Sequence, residues 1–170
     1  MSTCRQRYDK ENEAGLNKHI NLELYSMYVY TSMASQFDRD DVDLKGFVDY
    51  FWKSASDKMD RASTLMTYQN LRGGRINLKD IKKPNRDEWG SAAEAMEAAL
   101  DLEKTVNQGL LDLDRTAEEH LDPEMSHFIK RELLTDQVER MKIISGYVTN
   151  LQRVGPGHGE YHFDHETLGE

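Results

Sequence analysis

The sequence predicts an all-α fold, a four-helix bundle with one long crossover and a short C-terminal fifth helix. Apolar residues recur at intervals near 3.6 over four runs of nearly 30 residues each. The three prolines, Pro84, Pro123 and Pro156, fall in the connections or at the head of a run. One connection is about 18 residues long while the others are short.

The first run spans about Lys10 to Phe37, with Leu16, Ile20, Met27 and Ala34 on its apolar stripe, and "DRDDVD" at 38–43 ends it with turn and cap residues. The second, about Leu44 to Arg72, carries Phe47, Phe51, Leu65 and Tyr68 and stops at Gly73-Gly74. The segment "GGRINLKDIKKPNRDEWG" holds Pro84, three glycines and no sustained period. The third run, about Ser91 to His120, shows Met96, Ala99, Val106, Leu110 and Leu113, and the fourth, about Pro123 to Val154, shows Leu134, Met141, Ile144, Val148 and Leu151. Helices of that length are about 40 Å long. An 18-residue connection reaches about 60 Å, enough to run the length of such a bundle. After "GPGHG" the tail at 160–168 predicts a helix of two to three turns.

The 170 residues suit one domain, with 1–9 expected to be a flexible N-terminus and 10–154 the bundle. No apolar run approaches the roughly 18 residues of a membrane span, and no apolar stretch follows the basic residues of "MSTCRQRYDK", so no membrane and a cytoplasmic location are expected. A net charge of −9 without a basic block argues against nucleic acid. The one cysteine, Cys4, is read as a free surface thiol.

Each apolar stripe is broken midway by polar residues. Glu23 stands between Ile20 and Met27, with Tyr30 following, and Glu103 stands between Ala99 and Val106. Gln137 lies between Leu134 and Met141, and the second run reads Phe47, Phe51, Ser54, Lys58, Arg61, Leu65. Four interruptions at a common level predict one buried polar cluster that contains two cations.

"INLELYSMYVY", "FDRDDV", "RGGRI", "DIKKP", "ALDLEKTVNQ", "YVTNLQRVG" and "TLGE", in this order, resemble ferritin of the animal heavy-chain type over about Arg7 to Gly169. The resemblance implies a subunit of a hollow 24-subunit shell that stores iron, taken up as Fe2+ and held as Fe3+ mineral, with no organic cofactor. The fifth helix would lie near a four-fold axis. The family's oxidation centre matches here at Glu23, Tyr30, Glu103 and Gln137, all candidate metal positions except Tyr30. Its Glu-x-x-His does not match: those positions are Lys58 and Arg61. Neither an ammonium nor a guanidinium has a lone pair for a metal. Two carboxylates and two cations sum to zero, which reads as internal salt bridges, Lys58 and Arg61 with Glu103 and Glu23, in place of metal ions. Ferritin light chains carry Lys at the position of Lys58, and the sequence resembles them there.

Further departures follow. The family's acidic three-fold channel has His127 and Lys130 at the matching positions, which implies either a cationic passage or, through three copies of His127, a soft metal site. His158, His162 and His165 fall near one face of the tail if it is helical, and the positions that approach the four-fold axis are His162 and Glu166, a further candidate metal site. Of the acidic patch that nucleates mineral in light chains, Asp57 and Asp60 remain, alternatively read as a solvated helix face. The expected function is an iron-storage subunit without its own ferroxidase centre, alone or mixed with a catalytic ferritin chain. A ferroxidase using a rearranged Glu23, Glu103 and Gln137 site, and a cage with a structural or cargo role, are the alternatives.

Overall fold

The computed structural model describes residues 1–169; Glu170, which ends both the expected domain and "TLGE", lies outside the described residues. The order is α1 (Lys10–Phe37), α2 (Lys45–Leu71), α3 (Ala92–Glu119), α4 (Pro123–Ile129), a π turn at Lys130–Leu134, α5 (Thr135–Val154), α6 (His158–His162) and a second π turn at Phe163–Thr167. No strand occurs among the described residues. The long helices pack α1 on α2, α3 on α5 and α1 on α3, which is the expected bundle.

Local chemistry sets most of the ends. Asp9 caps α1 by accepting from Glu11 N, and Asp122 caps α4 by accepting from Met125 N, with Pro123 following at the position where a missing N–H costs nothing. At α3 Ser91 and Glu94 form a reciprocal capping box. Helix α2 has no local side-chain cap at Leu44. Its cap comes from the far end of the chain, where buried Asp164 accepts from Phe47 N at 2.9 Å. A side chain at Gly46 would collide with Asp164, so only glycine admits this contact. Phe163 stacks on Phe47 beside it, which docks the tail on the bundle.

The crossover between α2 and α3 is strapped along α1 in register. Asn17 bonds the backbone of Arg75 and Asn77, Asn21 the carbonyls of Lys79 and Asp80, Ser32 the indole of Trp89, and Gln36 the backbone of Trp89 and Gly90. Polar side chains on one stripe of α1 thus satisfy a segment with no secondary structure of its own. Residues 1–9 form no helix, and Tyr8 within them is buried with its hydroxyl bonded to Gln69.

Two expectations need correction. The fourth run is not one uninterrupted α-helix, because the π turn at 130–134 inserts one extra residue. Buried residues there fall at Met125, Ile129, Leu133 and Gln137, in steps of four, and Leu133 takes the core position expected of Leu134, which is only partly buried. Three steps of four outrun a 3.6 period by about one residue, and the π turn absorbs it. The fifth helix begins at His158 rather than 160 and passes into a π turn at Phe163.

The core is split in two. One cluster gathers Tyr30, Phe37, Phe47, Phe51, Met96 and Ile144; the other gathers Leu16, Ile20, Leu65, Leu110, Met125 and Leu133. Between them on every long helix lie the polar residues that interrupt the stripes.

Candidate metal centre

Glu23, Lys58, Glu103 and Gln137 are each 0% exposed and Arg61 8%, so the expected buried cluster forms. Helical spacing puts Glu23 three residues beyond Ile20 on the inner stripe of α1, while Phe51, Lys58 and Leu65 share that of α2. Glu103 projects from α3 between Ala99 and Val106, and the π turn brings Gln137 of α5 to the same level.

The Lys58 ammonium stands between the two carboxylates, donating to Glu103 Oε2 at 2.8 Å and lying 3.4 Å from Glu23 Oε2. The Tyr30 hydroxyl donates to Glu103 Oε1 at 2.6 Å, and the Gln137 amide donates to Glu103 Oε2 at 2.7 Å and to its backbone oxygen at 2.8 Å. On the other side His19 Nε2 lies 3.1 Å from Glu23 Oε1. Burial by itself would raise the Glu23 pKa, but Lys58, the His19 hydrogen bond and Arg61 outweigh it and hold the carboxyl down to about 2. Since an ionised Glu23 has no proton to give, His19 Nε2 must be the donor. Burial would likewise raise Glu103, and Lys58 with the Tyr30 and Gln137 bonds lowers it below the usual range. The Tyr30 phenol moves the opposite way, pushed well up by burial and by the Glu103 charge.

The expected pairing of Arg61 is only partly right. Its guanidinium lies 3.7 Å from Glu23 Oε1 but makes its short bonds to α5, 2.6 Å to Gln137 Oε1 and 2.9 Å to Asp136 Oδ2. A planar fork needs acceptors in its plane, which Gln137 and Asp136 supply, whereas the three donors of an ammonium let Lys58 serve both carboxylates. Asp136 is 63% exposed, so Arg61 leads from the core to the surface. Beside it Arg140 of α5 binds Asp57 at 3.1 Å, and the Glu103 charge helps keep its guanidinium protonated against burial. His19, Asp136 and Arg140 were absent from the sequence-derived set. His19 carried a legible signal, one helical turn before Glu23, and Asp136 adjoins Gln137.

Hard iron ions ask for several oxygen and neutral nitrogen donors converging on one point. Here an ammonium occupies the space between Glu23 and Glu103, Arg61 consumes the Gln137 oxygen, and among the described residues no three His, Cys, Asp or Glu side chains gather where a metal could be held. Glu23 Oε2 accepts no hydrogen bond and is balanced only by the ammonium nearby. The donor set fits a salt-bridge core and does not fit a dinuclear iron centre.

The remaining candidates lie on the surface. His127 of α4 and Lys130, which opens the π turn, are both exposed, and Lys130 is not a bare cation: Glu118 and Asp114 of α3 sit 3.0 and 3.6 Å from its nitrogen. Asp57 is tied to Arg140, while Asp60 is exposed. His162 and Glu166 are both exposed on the tail.

The ferritin-like domain family model matches residues 13–154, which takes in every helix that contributes to this cluster. The chain is 55% identical over 168 residues to "Soma ferritin" of Lymnaea stagnalis and 54% identical over 168 residues to "Ferritin-1 heavy chain" of Schistosoma mansoni, in both cases across 99% of this chain and 97% of the relative. It is 48% identical over 173 residues to "Ferritin, middle subunit" of Aquarana catesbeiana, across 100% of this chain and 98% of that one. With the bundle, its strapped crossover and these full-length similarities together, the chain belongs to the ferritin family.

Proposed function

We propose that this chain is an iron-storage subunit that sequesters and mineralises ferric iron but has no ferroxidase centre of its own. The observation that carries the reading is the Lys58 ammonium, 2.8 Å from Glu103 and 3.4 Å from Glu23, seated where a metal would have to bind. The subunit works within a hollow shell of 24 copies in the cytoplasm. Ferrous ions are its cargo, oxidised to ferric ions by dioxygen, which takes up their electrons, slowly at the shell surface or faster on a catalytic ferritin chain mixed into the same shell. Asp57 and Asp60 offer the ferric ions a weak acidic foothold, and no organic cofactor, nucleic acid or membrane takes part.

Initial rates of ferrous oxidation at a few irons per subunit test this. The homomeric shell is expected to show only slow oxidation without a saturable phase. The double variant K58E/R61H supplies one more carboxylate and an imidazole beside Glu23, Glu103 and Gln137, and is expected to gain a fast phase that stops near about two irons per subunit. A fast saturable phase in the parent would establish a rearranged ferroxidase site instead. Shells isolated without iron and unable to mineralise it would point to a structural or cargo role.

A further inference from the structure

We propose that the groove between α1 and α3 binds a small hydroxyaromatic carboxylate, whose hydroxyl donates to Nδ1 of His19. His19 is 3% exposed, and its ring stands between the core and this groove. On the core side Nε2 lies 3.1 Å from Glu23 Oε1. The other ring nitrogen, Nδ1, faces Gly109 of α3 at the groove and makes no hydrogen bond among the described residues. Because Nε2 gives its proton to Glu23, Nδ1 is left as an acceptor. The group that satisfies it must therefore be a donor, such as a phenol hydroxyl.

Gly109 keeps that acceptor within reach. It sits inside α3, where glycine costs about 1 kcal/mol against alanine, and a Cβ there would stand 3.0 Å from both His19 Nδ1 and Leu22 Cδ2. The groove encloses about 630 Å³, a volume suited to a small molecule. Half-buried Leu22 and Tyr25 give it an apolar wall on which an aromatic ring can lie. Lys18 of α1 and Lys82 of the crossover line it as exposed cations, and neither is ion-paired among the described residues, so they complement a carboxylate. The acid on the α3 side, Asp112, is already engaged by Gln108 and Arg115. The lining includes none of His127, Lys130, His162 and Glu166, the positions that the resemblance assigns to symmetry axes of a shell, so the site stands apart from both axes.

The test uses the intact, iron-free protein with para-hydroxycinnamate as the probe, measured by equilibrium dialysis. The parent is expected to bind one probe per chain. Cinnamate, which lacks the hydroxyl, and para-methoxycinnamate, which cannot donate, should each bind roughly tenfold more weakly, the contribution of one hydrogen bond made away from water. Gly109→Ala, which favours the helix but covers Nδ1, and His19→Leu should each abolish the preference for the hydroxyl with helical content unchanged. If His19→Leu fails to assemble, Gly109→Ala decides alone. Lys18→Gln combined with Lys82→Gln should weaken all three probes alike, whereas Lys104→Gln, in the groove between α3 and α5, should alter nothing. Absence of binding by the parent, equal affinity for cinnamate, a hydroxyl preference that survives Gly109→Ala, or an equal loss in Lys104→Gln would overturn the proposal.

Discussion

Replacing Lys58 by alanine removes the charge that two buried carboxylates share. At an effective dielectric constant of about 20, unit charges at the observed 2.8 and 3.4 Å attract by roughly 6 and 5 kcal/mol, gross values set against several kcal/mol of desolvation for each ion. Stranding a buried charge by deleting its partner costs about 3–5 kcal/mol in comparable pairs. The lower end applies here, because Glu103 keeps the Tyr30 and Gln137 bonds and Glu23 keeps His19. The expected loss is about 3 kcal/mol, or a melting point lower by roughly 6–12 °C for a chain of this size. Guanidinium unfolding and thermal scans at matched rates measure it. Lys58→Met, which fills the volume without the charge, separates electrostatics from cavity formation and should lose nearly as much. At pH 4 both variants should recover part of the loss, since protonation removes the stranded charge. A loss below about 1.5 kcal/mol, or full tolerance of methionine, would mean that the charges do not depend on one another.

Other outcomes follow from the same structure. Glu23 titrates near 2 against an ordinary 4.5; a depressed carboxyl stabilises fully above its unfolded value and loses that contribution as pH falls through 4.5 towards 2, here roughly 3 kcal/mol. Acid unfolding followed by fluorescence should therefore be less steep in Glu23→Gln. Asp164→Ala removes the side-chain cap of α2 and should cost about 1–2 kcal/mol, with faster amide exchange in the tail; unchanged exchange would show that Phe163 alone holds it. At the proposed three-fold channel, Lys130→Glu with His127→Asp should speed ferrous uptake into intact shells. The gain should be largest at low salt, because the field is screened over about 8 Å at physiological ionic strength. If those changes leave uptake unaltered while His162→Leu slows it, iron passes by the tail instead.

How much of this was legible in the sequence varies with the physics involved. A single helical period placed Glu23, Lys58, Arg61 and Glu103 in the core, because three of the long helices keep their register throughout. It failed by one residue at Leu133, where the π turn resets the phase, although the four-residue steps from Met125 to Gln137 were there to be read. Charge balance among four groups was also readable. Which cation meets which carboxylate was not, since it depends on the plane of the Arg61 guanidinium and on Asp136, a residue that periodicity places outside the core. The cap that Asp164 provides to α2 bridges 117 positions and has no local signature at either end. The strapping of the crossover was readable as length alone; the asparagines and Gln36 that fasten it look like ordinary surface residues of α1.

The central claim is that an ammonium stands where this family's oxidation centre would bind metal, and crystals of the shell soaked in ferrous salt under air address it most directly. Anomalous scattering at the iron edge locates any bound ion at the level of Glu23 and Glu103. The expected map has no iron peak there, with Lys58 still bonded to Glu103. Two peaks about 3.5–4 Å apart between the carboxylates, with the Lys58 side chain displaced, would contradict the account.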